Sequence, residues 1–195
     1  LWHLFKDERR KVIAAILEGN LRTIEADFRR IYETNRPIME AMKRIEIPLP
    51  EPLLGPAEFV LNADFRRILK APKTDFAGLA ALVDEYRTWS IEADEAGLGF
   101  LVRARVEALM TRWAEDPRDG SALKSVDFLL TTLKPLELEI DLWKSQNILV
   151  SRGRGIFAEN EARAGGGDPA AKAWLDLFKA AGRSLRVSPV VFEPR

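Results

Sequence analysis

Residues 8–35 read ERRKVIAAILEGNLRTIEADFRRIYETN, and within them Leu17, Leu21, Ile24, Phe28 and Ile31 follow one another at steps of four, three, four and three. A helix of 3.6 residues per turn gathers that spacing onto one face, whereas a strand would alternate every second residue. The other side carries Arg22, Glu25, Arg29, Arg30 and Glu33, the polar set a helix turns to water. Asp7 stands where an N-cap belongs, and Gly19-Asn20 loosens the middle without breaking the phase, so the stretch predicts one long helix. Pro37 suits the first turn of a continuing or restarting helix, PIMEAMKRI.

The same period runs through the rest of the chain. IPLPEPLLGP at 47–56 holds Pro48, Pro50, Pro52 and Pro56, which predicts a stiff, extended, ordered connector with no helix in it. Helical pattern returns in AEFVLNADFRRILKA, where Phe59, Asn62, Arg66 and Leu69 are read as one side and Val60, Phe65 and Ile68 as another. Thr74 or Asp75 would cap FAGLAALVDEYRTW, and FLVRARVEALMTRWAED sets Leu101, Val102, Val106, Leu109, Met110 and Trp113 on its apolar side. DPRDG ends that helix, Ser121 would cap the next, and Pro135 breaks it. LELEIDLWKSQNILVSRGRGIFAENEA predicts another long helix, with Gly153 and Gly155 as places for a kink or a close approach. A flexible GGG loop precedes Asp168 as cap and Pro169 in the first turn of a last helix ending near Gly182. The tail from 184 to 195 reads as an extended surface arm. The fold class is therefore all-α, a single bundle of six to eight helices, without strands and without a repeat of fixed period.

Composition narrows the function classes. Thirty basic residues balance thirty acidic ones, so no overall field draws the chain to nucleic acid or to an anionic membrane. No cysteine and one histidine, His3, remove disulfide scaffolds, thiolate metal sites and histidine clusters, so neither a metal nor another cofactor is expected. Charged residues interrupt every apolar run well short of the ~18 residues that span a bilayer. A soluble, cytoplasmic chain is the expectation. It opens LWHLFKDERR without an initiator Met, which reads as a cut inside a longer protein.

Within DLWKSQNILV at 141–150, Trp143, Gln146 and Asn147 sit at i, i+3 and i+4, a spacing that aims one indole and two amides at a common patch flanked by Asp141 and Lys144. A ring that packs on sugar C–H faces, beside amides that bond hydroxyls, is carbohydrate-binding chemistry. The alternative is a polar lock in a helical core, with the amides satisfied by backbone or neighbouring side chains. Asn62, Asp64 and Arg66 form a secondary candidate cluster with Arg67, against the plainer reading of a surface ion-pair network. GLG at 97–99 and GRG at 153–155 follow no predicted strand and read as helix starts or kinks rather than phosphate loops. No spacing marks a catalytic acid and base, a nucleophile elbow or a cysteine nucleophile.

Three phrases in order, LFKDERRKVIAAILEGNLRTIEADFRRIYETNRPIM, IPLPEPLLGPAEFVLNADFRRIL and DLWKSQN, resemble the uncharacterised helical domain at the C-terminal end of family-57 glycoside hydrolase-like proteins, those labelled α-amylase or α-mannosidase. The likeness runs from about Leu1 to Phe178. It implies a distorted (β/α) barrel before Leu1 that carries the catalytic carboxylates and packs on this domain, in a parent that is a glycoside hydrolase or glucanotransferase. It also implies that Trp143 lines the sugar cleft. The expected function is a non-catalytic accessory domain whose partners are that barrel and a glycan. The alternative is a helical protein-interaction or oligomerisation module.

Overall fold

A computed structural model describes residues 2–188, and the side chains of residue 13 and of residues 17–188. Among the described residues the chain is mostly helical, with no strand. The elements are α1 (Trp2–Arg44), α2 (Glu51–Lys70), α3 (Phe76–Trp89), α4 (Glu95–Glu115), α5 (Ser121–Leu133), a 3₁₀ turn (Lys134–Leu136), α6 (Trp143–Gly165) and α7 (Pro169–Ser184). The all-α bundle that the periodicity predicts is therefore the observed fold.

Helices α4, α5, α6 and α7 pack around one another, α2 and α3 extend that layer, and α1 lies against α2. The centre is aromatic. Phe178 of α7 stacks on Trp174 at 4.9 Å and meets Phe157 of α6 at 5.6 Å and Trp113 of α4 at 6.0 Å. Such rings bring large apolar area and also polar tips that need partners. Here the indole N–H groups of Trp113 and Trp174 both donate to the Pro117 carbonyl, at 3.1 and 3.0 Å. One carbonyl in the α4–α5 turn thus holds α4 and α7 together. Along α4, Val102, Val106, Met110 and Trp113 are buried and Leu101 and Leu109 are half-buried, as their spacing predicts.

Several boundaries differ from the sequence expectation. Helix α1 begins at Trp2, so Asp7 lies inside it and is not its cap, and Pro37 is carried within one continuous helix. The extended connector covers 47–50 only, and α2 incorporates both Pro52 and Pro56. Pro52 falls at the second position of α2, where its missing N–H would have had no helical partner. Pro56 does forfeit one bond, but the residue before it is Gly55, which has no Cβ to clash with the proline ring. Burial of Pro56, Ala57, Val60 and Leu61 offsets that loss. Asn62 belongs to this buried face and Phe59 is exposed, so the side assignments on α2 are corrected accordingly.

Helix α4 starts at Glu95, earlier than its apolar run suggests, because Asp94 caps it by accepting the Gly97 N–H at 3.0 Å. A Cβ on Gly97 would press on the Asp94 carboxylate, so its absence lets the cap sit close to the helix. Asp75 caps α3 and Asp168 caps α7 as predicted. Ser121 is the first residue of α5 rather than its cap, and it gives both its N–H and its hydroxyl to Asp119. Residues 137–142 are not helical, and α6 begins at Trp143 and runs unbroken through Gly153 and Gly155. Ser184 closes α7 and Leu185 is buried, so the predicted arm does not begin at 184. Residues 189–195 of that arm lie outside the described residues.

Candidate functional site

The start of α6 divides the Trp-amide group between two roles. Asp141 accepts the Trp143 backbone N–H at 3.0 Å, and this fixes the first turn although Leu142 contributes no capping side chain. Trp143 is then 70% exposed. Lys144 reaches Glu107 of α4 at 2.8 Å, and the Gln146 amide donates to the Leu185 carbonyl at 2.8 Å, closing α6 onto the end of α7. Asn147 is exposed and makes no hydrogen bond among the described residues. So Gln146 is a lock between helices, while Trp143 and Asn147, one turn apart, face outward together. The polar-lock arrangement holds for Gln146 alone among the three.

Beside this turn lies an open groove of about 1070 Å³ between the ends of α5 and α7 and the 137–142 segment. Its wall mixes the acids Glu137, Glu139 and Asp141 with the bases Lys134, Arg183 and Arg186 over a floor of Leu130, Leu133 and Leu138. Trp143 stands outside the groove, next in sequence to its rim residues Asp141 and Leu142. Gly99 of α4 supports the segment from behind, since its Cβ position lies 3.2 Å from the Glu139 carbonyl. Among the described residues no three His, Cys, Asp or Glu side chains gather as a metal would need.

Asn62, Asp64 and Arg66 share a helix but not a site. Asn62 is buried, accepts the Tyr86 hydroxyl at 2.9 Å and the Asp94 N–H at 3.3 Å, and donates to the Glu58 carbonyl at 3.0 Å. Asp64 receives Arg29 of α1 through two bonds, at 2.6 and 3.0 Å, and Arg67 at 2.7 Å. The Asp64 carboxylate raises the Arg29 guanidinium further above its ordinary range. Arg66 pairs with Asp94, whose carboxyl is held below its usual value first by the Gly97 N–H and then by Arg66. Each of the three points to a different neighbour, and together they fasten α1, α3 and α4 to α2.

A second lock was not singled out from the sequence. The Tyr32 hydroxyl donates to Glu85 and accepts from the Trp89 indole, both at 2.9 Å, and Arg36 pairs with Glu85 at 2.6 Å. Burial, followed by the Glu85 hydrogen bond, pushes the phenol of Tyr32 up to about 12. Tyr32 and Met39, seven apart, are the buried residues of α1 among those described, and they mark the line on which it meets the bundle.

Part of the apolar stripe is turned off that line, with Ile24, Ile31 and Ile38 roughly 80–120° around the helix from Tyr32. Ile13, Leu17, Leu21, Ile24, Ile31, Ile38 and Ile45 are all between 38% and 66% exposed. Phe28 is half-buried against Phe59 of α2, with ring centroids 4.8 Å apart. Every residue from 17 to 24 is exposed, because α1 overruns the end of α2 there. The Arg29–Asp64 pair sets the antiparallel register, and Asp64 is close to the end of α2 at Lys70. The stripe was legible as a helix face; its lack of a cover was not.

Comparison with protein-family models, curated proteins and solved structures finds no match to this chain.

Proposed function

We propose that the chain is a non-catalytic helical module that works by docking, with α1 as its contact element. The observation that carries this is the row of exposed isoleucines and leucines along α1, from Ile13 to Ile38, continued by Ile45 in the turn that follows. A row of that length exceeds the few hundred Å² of contiguous apolar surface that a free-standing protein ordinarily leaves in water. The polar side chains next to it are engaged in ties between helices, such as Arg29–Asp64 and Tyr32–Glu85. An accessory domain packed on a barrel, as the family-57 likeness implies, is one form of such docking. A photoreactive amino acid in place of Ile31 should give a covalent protein–protein product in cells, and one in place of exposed Glu33, on the opposite side of the helix, should not. Absence of any product from position 31 refutes the docking reading.

A second reading, a wall of a sugar cleft in a carbohydrate-active parent, is favoured by Trp143. Its ring is 70% exposed, and the unbonded amide of Asn147 stands one helical turn away. This is the pairing of apolar face and hydrogen-bonding group that a glycan takes. In this reading the isolated chain turns over no glycoside, and release of reducing sugar that depends on a carboxylate of this chain would refute it.

A further inference from the structure

We propose that the uncovered face of α1 pairs with α1 of a second copy of this chain, antiparallel, about a two-fold axis at Ile31. This names the partner in the docking reading and rests on it. Leu17, Ile24, Ile31 and Ile38 on α1, and Ile45 in the turn just after it, recur at seven-residue intervals, and all five are exposed. Seven residues fall short of two full turns, so the row drifts around a straight helix, and a partner can follow it only by wrapping with a left-handed supercoil. The occupant that fits is therefore another helix with an apolar seven-residue repeat. The helix of that kind present in this chain is α1 itself.

Size and charge agree with self-pairing. Seven apolar side chains about half exposed offer roughly 700 Å² per copy, or about 1,400 Å² for the pair, within the ~1,200–2,000 Å² of a specific interface. The open flank of the row carries Asn20, Asp27, Thr34 and Ala41, with a single charge, and Asp27 already holds Arg30 at 3.0 Å. With the axis at Ile31, Leu17 meets Ile45 of the second copy, Ile24 meets Ile38, and Asp27 stands opposite the Thr34 hydroxyl. Across the seam Asp27 faces Thr34 rather than a second carboxylate, and Arg30, beside the axis, is already paired with Asp27, so self-pairing strands no charge. The exposed edge of Phe59, tilted against Phe28, continues the apolar surface onto α2. Two α1–α2 hairpins then form a four-helix layer, in which each hairpin supplies the cover the other lacks.

Sedimentation of the 195-residue chain over the micromolar range reads the association directly. Wild type should sediment as a dimer, and Ile31→Glu, which sets two carboxylates against each other at the axis, should weaken it by roughly a hundredfold or more. Circular dichroism of that variant should be unchanged, because Ile31 is exposed in the single copy. The register is tested by Ile24→Glu and Ile38→Lys. Each alone should be monomeric, and an equimolar mixture should recover a heterodimer. A wild-type monomer over this range overturns self-pairing, as does a dimer indifferent to Ile31→Glu, or a mixture that stays monomeric. If the wild type is a monomer and the Ile31 photoproduct contains a different protein, self-pairing fails and docking stands. If there is no photoproduct, both fail.

Discussion

Asn62 offers a sharp test of what fastens α2 to its neighbours. Replacing it by Ala removes the acceptor of the Tyr86 hydroxyl, a group only 1% exposed by residue and already raised in pKa by burial, and it strips the Asp94 N–H of its longer bond. A buried hydroxyl left without a partner costs about 1–3 kcal/mol, and a further lost bond about 1 kcal/mol, so Asn62→Ala should destabilise the fold by roughly 2–4 kcal/mol. For a domain of this size that is a fall in Tm of about 5–15 °C. Thermal and urea melts followed by circular dichroism measure it. Adding Tyr86→Phe removes the stranded hydroxyl, so the double variant should be more stable than the two single effects added together, by ~1–2 kcal/mol. Strict additivity, or a loss below ~0.5 kcal/mol for Asn62→Ala, would show that the amide is not what holds these helices.

Trp143→Ala should change stability by less than ~0.5 kcal/mol, because the ring is largely in water; thermal melts check this, and a large loss would return Trp143 to the core. Phe178→Ala removes the ring on which three others pack and should cost about 3–5 kcal/mol, read from the urea midpoint. The Asp94 carboxyl is held below the ordinary carboxylate range by the Gly97 N–H and Arg66, so its contribution is complete above about pH 4 and is lost as pH falls through the lowered value. Asp94→Asn should therefore flatten the acid limb of stability against pH while leaving its shape near neutrality unchanged.

What the sequence made legible is what depends on local period and local capping. The step from Leu17 to Ile31 defines a helix whatever surrounds it, and Asp75 and Asp168-Pro169 carry their capping chemistry within a few residues. Proline counting misjudged 51–56 because the cost of a helical proline depends on its position: Pro52 forfeits nothing and Pro56 follows a glycine. The segment 137–142 was read as helix because Leu136, Leu138, Ile140 and Leu142 sit beside a genuine helix. Its alternation is that of an extended stretch with Leu138 and Leu142 buried. The candidate site was half legible. Spacing put Trp143, Gln146 and Asn147 on one helix end, but only the tertiary fold determines that the Leu185 carbonyl claims Gln146 and leaves the other two free. An i, i+3, i+4 pattern states which residues are neighbours and nothing about what else approaches them.

Helix α1 is fastened along its C-terminal half, by Arg29, Tyr32, Arg36 and Met39, and every residue from 17 to 24 is exposed. At 1.5 Å per residue α1 runs about 45 Å from Tyr32 to Trp2, so a 10° rocking at the Tyr32–Glu85 seam moves its tip by roughly 8 Å. A small slip between packed side chains becomes a swing wide enough to engage or release whatever grips the far end. The helix is thus built as a lever with its fulcrum at the polar seam. A substitution as mild as Tyr32→Phe, which leaves the packing volume in place, would loosen the pivot without touching the arm.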